Sequence, residues 1–195
     1  MAGGARLFDL DGTLWDGYAF YSEVLGATRT TTSAVAREAL LAGANIVHLL
    51  HQHHVTRAQA TRALQAGPGV RSYSNVREVL VELDARHHPL GIVTSLPGWL
   101  ANAATDALQI RSLFRVIIHR GNCRAAKPSP IPIRMALESL GRGSGSTSDV
   151  YVGDSPVDSM AAQRVGIRFA WASWGYGVPE GSYQVLRSPL EILNL

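Results

Sequence analysis

Five apolar runs of strand length recur along this chain, and a stretch with helical periodicity follows most of them. Short continuous apolar runs indicate strands buried on both faces, whereas a period near 3.6 residues indicates a helix with one buried face. The alternation therefore predicts an α/β fold, a doubly wound parallel sheet with helices on both faces. We expect strands at residues 5–8, 90–93, 114–118, 150–152 and 167–171, and helices near 75–86, 97–108, 130–140 and 156–165.

One segment, residues 17–72, breaks the alternation. It has the pattern of two or three helices, near 19–25, 33–53 and 57–65, without a strand, and it ends at Gly67-Pro68-Gly69, a turn or hinge signal. The sequence therefore predicts a small helical cap at 17–72, inserted after the first strand. We expect residues 1–16 and 73–195 to form the core of the protein.

Composition limits the class of protein. A chain of 195 residues with 46% hydrophobic content can fill one core that carries a small insertion. The formal charge of +3 is spread along the chain without a cationic run, which argues against a nucleic-acid partner. No apolar stretch is long enough for a membrane span, and the single cysteine excludes an internal disulfide. We expect a cytoplasmic protein without a membrane partner, either a monomer or a homodimer.

Polar side chains cluster at the predicted carboxyl ends of the strands, where open parallel sheets bind their ligands. They are Asp9, Asp11, Thr94, Ser95, Lys127, Asp154 and Asp158. Converging carboxylates repel one another unless a cation neutralises them, and hard oxygen ligands beside a phosphate favour Mg²⁺. The sequence therefore predicts a magnesium site formed by the four aspartates.

A phosphate group suits the same edge of the sheet. Three of these strand ends precede a helix N-terminus, where free N–H groups and the helix dipole favour an anion. Lys127 is the only lysine beside 17 arginines, and its compact ammonium can hold phosphoryl oxygens. We expect Lys127, Thr94 and Ser95 to bind the phosphate.

Asp9 and Asp11 can divide the catalytic work. A carboxylate beside the metal stays ionised and can attack phosphorus, whereas a neighbour away from it can carry a proton for the leaving oxygen. We assign Asp9 as the nucleophile and Asp11 as the general acid and base.

Four motifs in order and at matching spacing resemble those of the haloacid dehalogenase-like (HAD) hydrolase superfamily. They are Asp9-Leu10-Asp11-Gly12-Thr13-Leu14, Ile92-Val93-Thr94-Ser95, Lys127-Pro128-Ser129-Pro130 and Gly153-Asp154-Ser155-Pro156-Val157-Asp158. The resemblance implies a Rossmann-like core, a helical cap that closes over the substrate, and Mg²⁺-dependent phosphoryl transfer through an aspartyl-phosphate.

The resemblance also implies individual roles. Asp9 is similar to the family's nucleophile and metal ligand, and Asp11 to its acid/base, which also binds the metal through its backbone carbonyl. Asp154 is similar to the second metal carboxylate, and Asp158 to a ligand or to a residue that orients one. The branch that the chain most resembles is phosphoglycolate phosphatase-like, to which Trp174-Gly175-Tyr176-Gly177 is also similar.

The predicted function is hydrolysis of a small phosphorylated metabolite. An aspartate at position 11 is typical of both the phosphatases and the mutases of the superfamily, so a phosphomutase is the first alternative. A binding protein that kept the fold without turnover is the second. Ser95 stands where the branch often has asparagine, and the insertion is short, which leaves the substrate open.

A histidine cluster offers a second possible metal site. His48, His51, His53 and His54 are close in sequence, and helix positions three apart share a face. No cysteine or carboxylate lies among them to complete a zinc site. We favour a solvated helix end over a zinc site.

Overall fold

The computed structural model describes residues 3–26, 46–66 and 70–195. Its strands are β1 (Arg6–Phe8), β2 (Leu90–Val93), β3 (Val116–Ile118), β4 (Val150–Gly153), β5 (Arg168–Ala172) and β6 (Gln184–Leu186). These six strands form one parallel sheet in the order β3-β2-β1-β4-β5-β6. The predicted doubly wound α/β fold is confirmed.

Helices cover both faces of the sheet because successive strand side chains point to opposite sides. Phe8 and Ile92 belong to one apolar cluster, whereas Leu7 and Val93 belong to the other. The described helices are α1 (Gly17–Gly26), α2 (Ile46–Gln52), α3 (Arg57–Ala66), α4 (Val76–Ala85), α5 (Gly98–Ala107), α6 (Ile131–Ser139) and α7 (Pro156–Val165). Within the described ranges, no helix has the length and apolar character needed to cross a bilayer.

The sheet differs from the predicted one at its two edges. β6 was not expected, because it has only three residues and two of them are exposed, so it lacks an apolar run. β3 begins at Val116, two residues later than predicted. Phe114 instead ends a short 3₁₀ turn at Arg111–Leu113.

The two ends of the predicted insertion lie next to each other. The backbone N–H of Asp16 donates to the carbonyl of Arg71 over 3.0 Å, and Trp15 forms an isolated bridge with Ser72. The described residues between these points form only helices and their connections, namely α1, α2 and α3. Residues 33–45 of the second predicted helix and the predicted hinge at 67–69 lie outside the described ranges. The exact division into core and cap stays a prediction.

Candidate active site

The candidate site lies where the three central strands end. β1 pairs with β2 on one side and β4 on the other, so Asp9, Thr94 and Asp154 all follow neighbouring strands. The hydrogen bonds between strands continue to the first polar residue after each strand. The N–H of Asp9 donates to the carbonyl of Val152, and the N–H of Thr94 donates to the carbonyl of Ile118, each over 2.9 Å. The parallel sheet thereby fixes the backbone from which these side chains project.

Three buried carboxylates meet at this edge. Asp9, Asp154 and Asp158 each offer an oxygen, and these atoms lie within 4.8 Å of one another. Burial, with the charges of Asp158 and Asp9 acting in the same direction, raises the pKa of Asp154 to about 8. Burial also raises the pKa of Asp9 to about 7, although Lys127 opposes the shift. A hard divalent cation fits this set, because it would favour the ionised carboxylates that burial disfavours.

The histidine cluster has a different arrangement. The side chains of His48, His51 and His54 are exposed. Within the described part of the chain, the three buried aspartates are the only group of three or more side chains positioned to hold a metal ion.

The ammonium group of Lys127 lies among the carboxylates of this cluster. Its Nζ lies 2.8 Å from Asp9 Oδ1, 2.6 Å from Asp158 Oδ1 and 3.0 Å from the hydroxyl of Tyr151. Burial by itself would lower the pKa of Lys127, but the adjacent carboxylates of Asp158 and Asp9 raise it above its ordinary value. The ammonium therefore stays charged, and three acceptors fix its position.

Asp158 is held on both of its oxygens. It occupies the first turn of α7, where Oδ2 accepts from the N–H of Ser155 over 3.1 Å and from its hydroxyl over 2.5 Å. The hydroxyl of Ser155 also takes part in a capping box with this residue. With Lys127 on Oδ1, both oxygens of Asp158 have partners in the protein. Whether Asp158 is a metal ligand or a residue that orients one stays a prediction.

Asp154 is fixed by a close backbone approach. Its Oδ2 accepts from the N–H of Tyr176 over 2.8 Å, and Thr13 donates to Oδ1 over 3.4 Å. A Cβ at Gly12 or Gly175 would run into the Asp154 side chain, and Gly12 has a φ of 85° that glycine adopts easily. Both glycines are therefore needed for the carboxylate to sit where it does.

The side chain of Asp11 is separate from the three-carboxylate group. Oδ2 accepts from the hydroxyl of Tyr21 over 2.8 Å and Oδ1 from that of Tyr176 over 3.1 Å. Burial raises its pKa to about 6, while the two tyrosine hydrogen bonds act in the opposite direction. A carboxyl with this pKa can both give and take a proton near neutral pH. The predicted metal contact of Asp11 involves its backbone carbonyl, so this orientation is compatible with it.

The two hydroxyl residues after β2 differ. Thr94 is buried, and its Oγ1 accepts from the N–H of Leu96 over 3.2 Å, which leaves its own proton available for a ligand. The side chain of Ser95 is exposed. Phosphate binding by Thr94, Ser95 and Lys127 stays a prediction.

Sequence reasoning missed three tyrosines of the site. Tyr151 lies in β4, donates to the carbonyl of Val93 over 2.8 Å and accepts from Lys127. Tyr21 is buried in the core, where its hydroxyl reaches Asp11. Tyr176 was noted only as part of a motif. A polar atom inside an apolar run such as Val150–Gly153 is the one signal that could have drawn attention to Tyr151.

Comparisons with known proteins identify the family and the fold. The family model of haloacid dehalogenase-like hydrolases matches residues 6–172. A phosphoglycolate phosphatase of Xanthomonas campestris is 32% identical over 193 residues, which cover 88% of this chain and 84% of the relative.

Two solved structures share the fold. The HAD phosphatase of Thermococcus onnurineus has a TM-score of 0.75 at 22% identity, covering 98% of this chain and 96% of that one. A Thermotoga maritima protein provisionally named β-phosphoglucomutase has a TM-score of 0.74 at 22% identity, with coverage of 98% and 97%. The predicted family is confirmed. The chain belongs to the haloacid dehalogenase-like hydrolases, in the phosphoglycolate phosphatase-like branch, and is a phosphoric monoester hydrolase.

Proposed function

We propose that this protein is a Mg²⁺-dependent phosphatase that hydrolyses a small phosphorylated metabolite through an aspartyl-phosphate on Asp9. One observation carries the proposal. The Asp9 carboxylate lies beside a buried ammonium and two further buried carboxylates, whereas the Asp11 carboxyl accepts hydrogen bonds from two tyrosine hydroxyls. The nucleophile and the proton carrier therefore have different surroundings although only one residue separates them.

The side chains of Asp9 and Asp154, with the backbone carbonyl of Asp11, would hold the magnesium ion. When bound, Mg²⁺ supplies positive charge that offsets the repulsion between the carboxylates and a phosphoryl group. Asp158 positions Lys127 beside this set through their 2.6 Å contact.

In the first step, a carboxylate oxygen of Asp9 attacks the phosphorus atom. A bond forms between that oxygen and phosphorus, and the bond to the ester oxygen breaks. Protonated Asp11 gives its proton to this leaving oxygen, so an alcohol departs. Lys127 and Thr94 stabilise the charge on the phosphoryl oxygens.

In the second step, a water molecule attacks the phosphorus of the aspartyl-phosphate. Asp11, now ionised, takes a proton from the water as the new bond forms. The bond between phosphorus and the Asp9 oxygen breaks, which releases inorganic phosphate and restores both carboxyl groups to their starting forms.

The name of the Xanthomonas campestris relative suggests 2-phosphoglycolate as the first substrate to test. The experiment measures inorganic phosphate released from 2-phosphoglycolate and from p-nitrophenyl phosphate, with Mg²⁺ and with a chelator. We expect hydrolysis that requires the metal and is lost in Asp9→Asn. Absence of metal-dependent hydrolysis over a broad panel of phosphate esters would contradict the proposal and favour a binding protein without turnover.

A phosphomutase is the second candidate, since the Thermotoga maritima structure has the same fold and Asp11 is compatible with both reactions. A mutase returns the phosphoryl group to a sugar rather than to water. Sugar phosphates converted to isomers with little release of inorganic phosphate would favour the mutase.

A further inference from the structure

Tyr176 makes contact with three functional parts of the protein at once. Its backbone N–H holds Asp154 Oδ2 at 2.8 Å, and its hydroxyl lies 3.1 Å from Asp11 Oδ1. The same hydroxyl accepts from the backbone N–H of Tyr18, in the first turn of α1, over 3.2 Å. One residue therefore joins a metal-site carboxylate, the acid/base carboxylate and the start of the insertion.

The hydroxyl has only one proton, and its surroundings decide where that proton goes. The N–H of Tyr18 can only donate, so it occupies a lone pair of the Tyr176 oxygen. Of the two carboxylate acceptors, Asp11 Oδ1 is nearer than Asp16 Oδ1, which is 3.5 Å away. A carboxylate is also a stronger acceptor than the hydroxyl of Tyr73, which hydrogen-bonds to Tyr176 as well. The Tyr176 proton is therefore directed at Asp11.

Packing fixes the ring that carries this hydroxyl. Tyr18 and Tyr176 have ring centroids 3.8 Å apart, and a Cβ at Gly12 would come within 2.9 Å of the Tyr176 ring. Tyr21 holds the other oxygen of Asp11 over 2.8 Å. Each oxygen of the Asp11 carboxyl group therefore accepts a hydrogen bond from a phenol, Oδ2 from Tyr21 on α1 and Oδ1 from Tyr176 after β5.

We propose that Tyr176 is a positioning residue for the reaction: it sets the orientation in which Asp11 gives a proton to the leaving oxygen. This inference rests on the proposed function, because it assigns Tyr176 a role through Asp11. Tyr176 itself does not exchange a proton with the substrate.

The test compares two esters whose leaving groups differ in their need for a proton. An alkyl ester such as 2-phosphoglycolate must protonate its leaving oxygen, whereas p-nitrophenolate leaves as a stable anion. We expect Tyr176→Phe to lower kcat/KM for 2-phosphoglycolate by about tenfold to a hundredfold, the range for losing one hydrogen bond to a charged group. The value for p-nitrophenyl phosphate should remain near that of the parent protein.

A matched control is Tyr183→Phe. Tyr183 packs edge-on against Phe169 at 5.2 Å, and its buried hydroxyl has no partner among the residues that the structure describes. This variant removes the same atom elsewhere and should retain both activities. Tyr176→Phe keeps the backbone N–H that holds Asp154, so the rise in Tm produced by Mg²⁺ should match that of the parent and show that the metal site is intact.

The second measurement is a double-mutant cycle with Asp11→Asn. If Tyr176 acts through Asp11, Tyr176→Phe lowers kcat/KM for 2-phosphoglycolate no further in the Asp11→Asn background. An equal loss for both esters, no loss for either, or additive losses in the cycle would overturn the inference. If the parent protein does not hydrolyse 2-phosphoglycolate, the best alkyl ester of the broad panel replaces it in this comparison. If it hydrolyses no ester of that panel, the proposed function fails instead, so the two failures are distinguishable.

Discussion

The ammonium of Lys127 lies 2.6 Å from Asp158 Oδ1, and both side chains are almost completely buried. Together with the contact to Asp9, it places one positive charge inside a cluster of buried carboxylates. The contact also separates two carboxylates of this cluster by their partners. Asp154 accepts from the N–H of Tyr176, whereas Asp158 accepts from Lys127 and from Ser155 in the capping box of α7.

The first prediction follows from this separation. Asp154→Asn should abolish the stabilisation by Mg²⁺ and the activity, because it removes a ligand. Asp158→Asn should lower kcat by roughly 10- to 100-fold, the usual effect of removing an orienting partner. It should keep much more of the Mg²⁺ affinity than Asp154→Asn. Mg²⁺ titrations followed by Tm measure both effects, and equal loss of Mg²⁺ affinity in the two variants would make Asp158 a direct ligand.

The second prediction concerns Asp11. Asp11→Asn removes the proton carrier but leaves Asp9, so slow phosphorylation of Asp9 should persist while turnover falls by about 10² to 10⁴-fold. Mass spectrometry of the variant after incubation with substrate should detect protein heavier by one phosphoryl group. Turnover equal to that of the parent would show that Asp11 has no acid/base role.

The third prediction is that metal-free protein loses stability as the pH rises from about 4 to 8. Folding raises the pKa of Asp9 from 3.8 to about 7, and that of Asp154 from 3.8 to about 8, chiefly through burial. At any pH between the unfolded and the folded pKa of these groups, the folded state binds more protons than the unfolded state. The free energy of unfolding therefore falls as the pH rises. The stability that these two groups contribute is fully present below pH 3.8. It is lost as the pH rises past their pKa values in the folded protein, about 7 and about 8.

Magnesium should oppose this trend, since it binds the ionised carboxylates. The rise in Tm on adding Mg²⁺ should therefore be larger at pH 8 than at pH 5. Thermal melts with EDTA and with Mg²⁺ at both pH values check this, with Asp154→Asn as the control that should weaken the pH dependence. A Mg²⁺ effect that is equal at both pH values would contradict the assignment of Asp9 and Asp154 as ligands.

The sheet was predictable from sequence because its inner strands are continuous apolar runs. β2 falls at the predicted residues, and α7 begins and ends as predicted, because Ser155 and Pro156 mark its start clearly. β6 was not predictable, because it forms by pairing with β5 and has no apolar pattern of its own. Edge strands of this kind depend on tertiary contacts rather than on local signals.

The candidate site divides in the same way. Asp9 and Asp154 were predictable as candidates because each directly follows a buried strand, and Lys127 and Asp158 because they lie in the connections that leave that edge of the sheet. The tyrosines were not, since an aromatic residue at Tyr21 or Tyr151 has the same pattern whether its hydroxyl is used or not. Only the hydrogen bonds to Asp11 and Lys127 separate the two cases.

The fourth prediction tests the close packing around Asp154. In Gly175→Ala, the new Cβ would meet the Asp154 side chain and the carbonyl oxygen of Gly12, neither of which can move without disturbing the site. We expect weaker Mg²⁺ binding and a fall in kcat/KM, measured by titration and by phosphate release.

The matched control is Gly141→Ala, whose Cβ meets nothing within 4 Å. Its φ of 71° costs an alanine stability, about 1 kcal/mol, so it should lower Tm while leaving activity unchanged. Full Mg²⁺ affinity in Gly175→Ala would show that Asp154 has room to shift and that its position is not set by the glycine.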